Sequence, residues 1–274
     1  MKIFLFILLL VIIHPSVAQT DEKPSQISVN LENLYSRLLK SSDDEQKMRI
    51  NDSIRLIISG YAASDTVFQH NFENLRYLGQ ITSPDSLLKI ITWNLILNNG
   101  SNNYNLYIIK RTSPDVQSRI YNLNGEFSEE PPRTDTTYSE TDWYGALYYD
   151  VRPVATDDET LYLLLGLDFG NSLITRKIIE VLSFSDKDSL IFGREWFMKG
   201  KAMIYREVLE YSSTAVTILR FVNNNQIVFD HLVPFSPEHA NDRRYYGPDY
   251  SYDAYEYRNG LWRLRTNVDI RNKE

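Results

Sequence analysis

The chain has 274 residues, of which 43% are hydrophobic and 24% are charged, and it contains no cysteine. Its 36 acidic residues outnumber 29 basic ones, so the net charge is −7. This acidic balance argues against nucleic-acid partners and against docking on anionic membranes. The lack of cysteine excludes disulfides, thiolate metal sites and a thiol nucleophile, so stability has to come from a packed core.

Residues 1–18 have the organisation of a secretory signal peptide. Lys2 precedes an unbroken apolar run over 3–13, and Ser16 and Ala18 place small residues before Gln19. The run is shorter than the about 20 residues that a transmembrane helix needs, so an uncleaved anchor is the less favoured alternative. We expect cleavage before Gln19, export to the periplasm or the medium, and no stable membrane insertion afterwards.

Residues 19–82 are predicted to form a helical segment attached to the rest of the chain. Leucines and isoleucines recur there at helical spacing, and Asp43 or Asp44 is suited to cap the second helix. Helices this short need a surface to pack on, so their apolar stripes are interpreted as docking faces. The predicted helices are 30–40, 44–61 and 68–78.

Residues 83–274 are predicted to form a β-rich domain. Strand-forming runs alternate with turn signals at ~8–12-residue spacing, which indicates an antiparallel meander in a sandwich, barrel or propeller-like arrangement. The expected fold class is therefore mainly β with an N-terminal helical segment, or α+β overall. The stretch 126–142 is acidic and contains Pro131-Pro132, which predicts an exposed loop. The predicted strands are 87–97, 104–111, 116–123, 143–151, 160–168, 175–184, 202–211, 215–222, 226–235, 252–257 and 261–268.

Strand pairing predicts a group of three charged residues on one sheet face. If two successive hairpins join the strands of Glu207, Arg220 and Asp230, Arg220 lies opposite Val228 and within reach of both carboxylates. The neighbouring side chains are mostly apolar, and a charge in such a setting has to be paired. We interpret Glu207, Arg220 and Asp230 as structural ion pairs that fix strand register. The alternative is the floor of a cleft with a positioned arginine.

The stretch 226–262 supplies the candidate binding cluster. In an extended chain Asp249, Ser251 and Asp253 point to one side, and their oxygen atoms suit calcium. The spacing of an EF-hand is missing, so no metal is expected, and Asp249 is interpreted as the acceptor of an Asx-type turn. His231 is predicted on the opposite strand face from Asp230, among apolar neighbours, as a core histidine. The candidate cluster is Asp230, His231, Asp249, Ser251 and Asp253.

The sequence lacks the common catalytic motifs. It contains no HExxH, GxSxG, Walker or GxGxxG pattern, and no cofactor is expected. Its many aspartates and glutamates leave open a glycosidase-like carboxylate pair. The 19 tyrosines are typical of half-buried strands, with a stacking surface for sugars as the alternative.

Six segments carry a resemblance to a known family. They are SPDSLLKIITWN (83–94), WYGALYYDV (143–151), LYLLLGLDF (161–169), KIIEVLSF (177–184), IVFDHLVP (227–234) and YGPDYSYDAY (246–255). Together they resemble an uncharacterised family of exported Bacteroidota proteins, from about residue 83 to the C-terminus. The resemblance implies an exported β-rich domain of unknown function and assigns no catalytic residue. Where such proteins often read PDGSYD, this chain has Tyr250, which is expected to reshape that turn.

Two classes of function follow from these observations. The favoured one is a non-enzymatic binding or structural module of the cell envelope, with an unknown envelope protein or a glycan as partner. The other is a hydrolase that acts on glycans or peptides through a carboxylate pair. A cleft with two carboxylates ~5–10 Å apart favours the hydrolase. An aromatic platform without such a pair favours binding.

Overall fold

The structure is a computed structural model that describes residues 23–113, 116–126 and 128–270. The predicted signal peptide, 1–18, and its cleavage site lie outside the described residues. The fold is mainly β, with two helices near the N-terminus, as predicted. Within the described ranges, no helix has the length and hydropathy to cross a membrane.

The helices and strands are numbered in chain order. The helices are α1 (Pro24–Lys40) and α2 (Asp44–Ala62). The strands are β1 (Gly79–Thr82), β2 (Leu88–Ile96), β3 (Asn102–Lys110), β4 (Arg119–Glu126), β5 (Leu147–Ala155), β6 (Thr160–Asp168), β7 (Ile174–Phe184), β8 (Leu190–Phe192), β9 (Phe197–Lys199), β10 (Ala202–Ile204), β11 (Glu207–Ser212), β12 (Leu219–Asn223), β13 (Gln226–Pro234), β14 (Tyr246–Arg258) and β15 (Leu261–Arg265).

The elements stack in four layers. The two helices cover one face of a sheet ordered β1-β2-β3-β4, which we call the helix-side sheet. Its other face packs on the central sheet, ordered β11-β7-β6-β5, with β8 paired to β7. The far side of the central sheet packs on the outer sheet, ordered β10-β9-β15-β14-β13-β12. Three apolar cores thus lie between four layers.

The apolar run in β6 explains why the central sheet lies in the middle. Side chains of a strand alternate between the two faces. Tyr162 and Leu164 enter the core shared with the helix-side sheet, whereas Leu161, Leu163 and Leu165 enter the core shared with the outer sheet. A strand buried on both faces needs a continuous apolar sequence, and β6 has one.

Helix α2 is fixed to the helix-side sheet through Trp93. The Trp93 side chain is fully buried, its ring stacks on Tyr107 with centroids 6.0 Å apart, and its Nε1 donates a 2.8 Å hydrogen bond to Asn51 Oδ1 of α2. Asp43 caps α2 by accepting a hydrogen bond from the Glu45 backbone N–H. Capping and core packing therefore both favour the helix that the isoleucine pattern predicts.

The predicted third helix over 68–78 is wrong, and Lys89 provides a physical reason. This segment forms turns, and the buried Nζ of Lys89 donates to the backbone carbonyls of Val67 and His70 and to the Asn71 side chain. Carbonyls held by an ammonium group are directed away from a helical hydrogen-bond ladder. Burial lowers the pKa of Lys89 to about 8. Phe72, Leu75 and Leu78 of this segment are buried without a helix.

The predicted hairpin of 87–97 with 104–111 is confirmed as β2 and β3. The predicted strand 202–211 is wrong as a single element. Its first part is β10 in the outer sheet, and its second part is β11 in the central sheet. Tyr205 and Arg206 lie at this crossing. Local strand propensity does not reveal such a change of sheet.

Two buried arginines hold the backbone of the loop predicted at 126–142. Arg176 donates to the carbonyl oxygens of Ser128 and Glu129, at 2.9 and 2.5 Å. Arg206 donates to the carbonyl oxygens of Arg133 and Thr136. Most described side chains of the loop are exposed or half-buried. The loop is thus attached to the core through its backbone and through Tyr138, which packs against the core between the central and helix-side sheets.

Candidate binding sites

A cleft of about 380 Å³ lies between β11 of the central sheet and the outer sheet. It brings Asp230, His231 and Asp253 of the predicted cluster together, whereas Asp249 and Ser251 are outside its lining. Glu207 also lines it, although that residue was predicted among the structural ion pairs and not in the binding cluster. The lining residues are Lys199, Glu207, Val208, Leu209, Glu210, Phe229, Asp230, His231, Leu232, Arg243, Asp253, Leu264 and Thr266.

The predicted ion pairs of Arg220 with Glu207 and Asp230 are wrong. Arg220 does lie opposite Val228, as predicted, but its side chain is exposed. The strand of Glu207 pairs with β7 in the central sheet and not with the strand of Arg220 in the outer sheet. The residues between these two strands join two sheets and do not form a hairpin, so the assumed register does not exist.

Glu207 and Asp230 have other partners. The Glu207 carboxylate accepts from Lys199 Nζ at 2.7 Å and from the Tyr255 hydroxyl at 2.6 Å. Asp230 Oδ2 accepts from the Ile218 backbone N–H at 2.6 Å, at the end of β12. Both carboxylates thus fix elements of the outer sheet, which is a structural role.

His231 is not a core histidine. A bulge shifts the register between Asp230 and Leu232, and the His231 side chain remains 39% exposed. Its Nδ1 lies 2.8 Å from Asp253 Oδ2, and Asp253 Oδ1 accepts from the Asn267 backbone N–H. An imidazole oriented by a carboxylate is a common part of catalytic sites, but no nucleophile contacts this pair among the described residues. The same residues contain no group of three or more His, Asp or Glu side chains arranged to hold a metal ion.

Residues 249–251 form a bulged turn and do not present one row of ligands. Asp249 Oδ1 accepts from the backbone N–H of Ser251 at 3.0 Å and from its hydroxyl at 2.7 Å, which is the predicted Asx-type arrangement. Tyr250 between them has φ 70° and is 94% exposed. The prediction that Asp249, Ser251 and Asp253 share one side assumed an extended chain, and the left-handed backbone of Tyr250 breaks that alternation.

Replacing Asp249 by Ala should lower the free energy of unfolding by about 0.5–1.5 kcal/mol, because the Ser251 N–H loses its acceptor. Hydrogen bonds from Ser251 hold the pKa of Asp249 below its usual range, so this contribution is present at neutral pH and is lost as pH falls through the lowered pKa. Urea unfolding at neutral pH measures the difference. Millimolar calcium should leave the melting temperature of the parent unchanged. A rise of several degrees that Asp249→Asn abolishes would show a metal site instead.

A second, larger concavity was not predicted from the sequence. It is a groove of about 650 Å³ between the end of α1, the helix-side sheet and the edge of the central sheet, and we call it the helix–sheet groove. Its lining residues are Tyr35, Leu38, Leu39, Ser41, Lys47, Arg76, Tyr77, Gly79, Gln80, Ile81, Thr92, Asn94, Leu95, Ile96, Leu147, Tyr148, Tyr149, Leu167 and Phe169.

The wall of the helix–sheet groove exposes large apolar side chains. Leu39 is 59% exposed, Tyr77 is 57% exposed, Ile96 is 56% exposed and Phe169 is 42% exposed. Scattered exposed apolar residues are normal on a protein surface, but a contiguous apolar concavity marks an interaction site. The volume lies within the range of about 300–1,000 Å³ that is typical of small-molecule sites.

Two polar groups in the groove lack a partner within the described part of the chain. The Tyr35 hydroxyl is buried and makes no hydrogen bond there, and its ring stacks on Tyr77 with centroids 6.1 Å apart. Burial raises the pKa of Tyr35, so the phenol is neutral. The exposed guanidinium of Arg76 contacts no carboxylate among the described residues. A buried hydroxyl without a partner is costly, and a bound ligand can supply one.

The groove could not be found from the sequence because its wall comes from six separate segments. The one local signal is in α1, where Leu31, Tyr35 and Leu38 are buried and the adjacent Leu39 is not. A leucine next to the buried stripe suggests a wider apolar face than the helix needs to dock. The sequence does not indicate what lies opposite that leucine.

Comparisons of the chain with known protein families, with curated proteins and with solved structures found no match. The resemblance to exported Bacteroidota proteins therefore stays a prediction from the sequence. A proposal for function therefore has to rest on the geometry of the chain's own concavities, of which the cleft and the helix–sheet groove are described above.

Proposed function

We propose that the protein is an exported, non-enzymatic binding module of the cell envelope and that its ligand occupies the helix–sheet groove. The observation that carries the proposal is the exposed apolar wall formed by Leu39, Tyr77, Ile96 and Phe169. Exposing four large apolar side chains to water in one concavity is unfavourable, and a bound ligand that covers them removes this exposure. Aromatic and aliphatic walls with few polar groups are typical of ligand sites.

The cleft near His231 gives less support to a hydrolase. A glycosidase needs one carboxylic acid and one carboxylate that face the substrate. Glu207, Asp230 and Asp253 each accept hydrogen bonds from neighbouring protein groups, and Glu210 accepts from Arg176 at 3.0 Å. Each of these carboxylates therefore has a structural partner within the protein. The hydrolase therefore remains the second candidate.

Export is the part of the proposal that rests on the sequence. N-terminal sequencing of the protein from the periplasm or the medium should give Gln19 as the first residue. A chain that keeps Lys2 and fractionates with membranes would contradict cleavage and show the uncleaved anchor instead.

The groove itself is tested with Nile red, a neutral apolar dye that fluoresces in apolar sites. The double variant Leu39→Ser, Phe169→Ser should raise the Kd of the dye about tenfold, because two apolar contacts of the site are removed. The matched control is Val216→Ser, Tyr250→Ser, which removes two exposed side chains, 86% and 94% exposed, that do not line the groove. Equal dye binding by parent, groove variant and control would contradict the proposed site.

A further inference from the structure

We propose that the ligand of the helix–sheet groove is a monomeric single-chain amphiphile with an anionic head group, such as a fatty acid. Its acyl chain lies along the apolar wall and its head group pairs with Arg76. This inference rests on the proposed function, because it names the ligand of the same groove.

The charge of the groove supports an anionic head group. The protein as a whole carries a net charge of −7, yet the charged residues in the groove wall are Lys47 and Arg76, and none of the described wall residues is acidic. Lys47 already has partners within the protein, since its Nζ donates to Ile96 O and Asn98 Oδ1 and lies 3.5 Å from Asp44 Oδ1. Arg76 is left as the cation available to a ligand. A guanidinium group pairs with carboxylate or phosphate through two parallel hydrogen bonds.

The shape of the wall supports a linear apolar chain. Leucines from three layers line the groove: Leu38 and Leu39 from α1, Leu95 from β2, and Leu147 and Leu167 from the central sheet. Aliphatic side chains from elements so far apart in sequence thus line one groove. Tyr77 follows Arg76 in the chain and stacks on Tyr35, so the tyrosine pair and the cation belong to the same part of the wall. This part suits the polar end of the ligand.

An added peptide strand is the less favoured occupant. Ser83 N donates to Leu88 O, and antiparallel pairs alternate between bonded and non-bonded, so the backbone of Gln80 faces the free edge of β1. The Tyr148 carbonyl oxygen lies 3.7 Å from the place where a Cβ on Gly79 would stand. Because a Cβ points out of the plane of its sheet, β5 lies on the face of β1 at Gly79. Strand β1 has four residues, so its free edge offers a peptide strand the backbone of Gln80 and Thr82 alone.

The test is displacement of Nile red by dodecanoate and by dodecanol, both below the concentrations at which they aggregate. Parent protein should bind dodecanoate about tenfold more tightly than dodecanol, in line with one charge-assisted pair, and added salt should reduce the difference. Arg76→Gln should remove this preference by weakening dodecanoate binding about tenfold. Arg49→Gln, which makes the same charge change on the surface of α2 outside the groove, should behave as the parent.

The outcomes separate this inference from the proposed function. If Nile red binds in the groove but dodecanoate and dodecanol displace it equally, the anionic head group is wrong and the binding site stands. The amphiphile is likewise overturned if an apolar peptide displaces the dye and dodecanoate does not, or if binding requires phosphatidylglycerol vesicles. If the dye itself does not depend on Leu39 and Phe169, the proposed function falls with the inference.

Discussion

Replacing Arg206 by Met should lower the free energy of unfolding by about 3–5 kcal/mol, the usual result of removing one partner of a buried ion pair. Arg206 and Glu180 both have fully buried side chains, and Arg206 Nε lies 2.7 Å from Glu180 Oε2. The Glu180 carboxylate also accepts from the Tyr144 hydroxyl at 2.8 Å. Removing the guanidinium leaves a carboxylate in the core between the central and helix-side sheets without its cation.

The pH dependence of this loss gives a sharper test. Burial raises the pKa of Glu180 above its usual range even beside Arg206, so the folded chain keeps this proton to a higher pH than the unfolded chain does. The free energy of unfolding therefore falls as pH rises from the pKa of Glu180 in the unfolded chain through its higher pKa in the folded chain. Without Arg206 the pKa should rise further, so the variant should lose less stability at about pH 5 than at about pH 8.

The control is the double variant Arg206→Met, Glu180→Gln, compared with the single variant by urea unfolding. The destabilisation of the double variant should not depend on pH, and its free energy of unfolding should be higher than that of the single variant. This free energy should remain below that of the parent, because the carbonyls of Arg133 and Thr136 still lack their donor. A single variant within about 0.5 kcal/mol of the parent at both pH values would contradict a buried ion pair at this position.

Replacing Trp93 by Ala should also cost about 3–5 kcal/mol, since it leaves a cavity between α2 and the helix-side sheet. The same change leaves Asn51 Oδ1 without the indole donor that is 2.8 Å away. Because the helices form one wall of the helix–sheet groove, the variant should also bind Nile red more weakly. Urea unfolding and the dye titration measure the two effects.

Trp93→Phe separates packing from the hydrogen bond. Phenylalanine keeps most of the apolar contact with Tyr107 and removes the N–H, so its cost should be near the about 1–3 kcal/mol expected for an unsatisfied buried acceptor. If Trp93→Ala costs less than about 1 kcal/mol, the helices do not pack on this sheet and the groove loses one wall.

Local features of the fold were predictable, and long-range features were not. The hairpin of β2 and β3 and the pairing of Arg220 with Val228 depend on strands that are neighbours in sequence, so alternation and turn residues predict them. The partners of Glu207 depend on the change of sheet at Tyr205 and Arg206 and on the return to the outer sheet after Ser212. Nothing in the local pattern indicates that change.

The candidate sites show the same limit. The Asx turn at Asp249 was predictable because donor and acceptor are two residues apart. The orientation of His231 was not, because it depends on a bulge opposite residues 249–251. Recognition of the groove required knowing that Leu39 and Phe169, which are 130 positions apart in the sequence, line one concavity. Contacts between positions so far apart cannot be predicted from the pattern of a single sequence.

The most direct measurement is a crystal structure of the mature protein grown with dodecanoate. We expect the acyl chain in the helix–sheet groove against Leu39 and Phe169, with the carboxylate within hydrogen-bond distance of Arg76. Dodecanoate bound in the cleft beside His231, or an empty groove at concentrations that saturate binding in solution, would contradict the claim that this groove is the binding site.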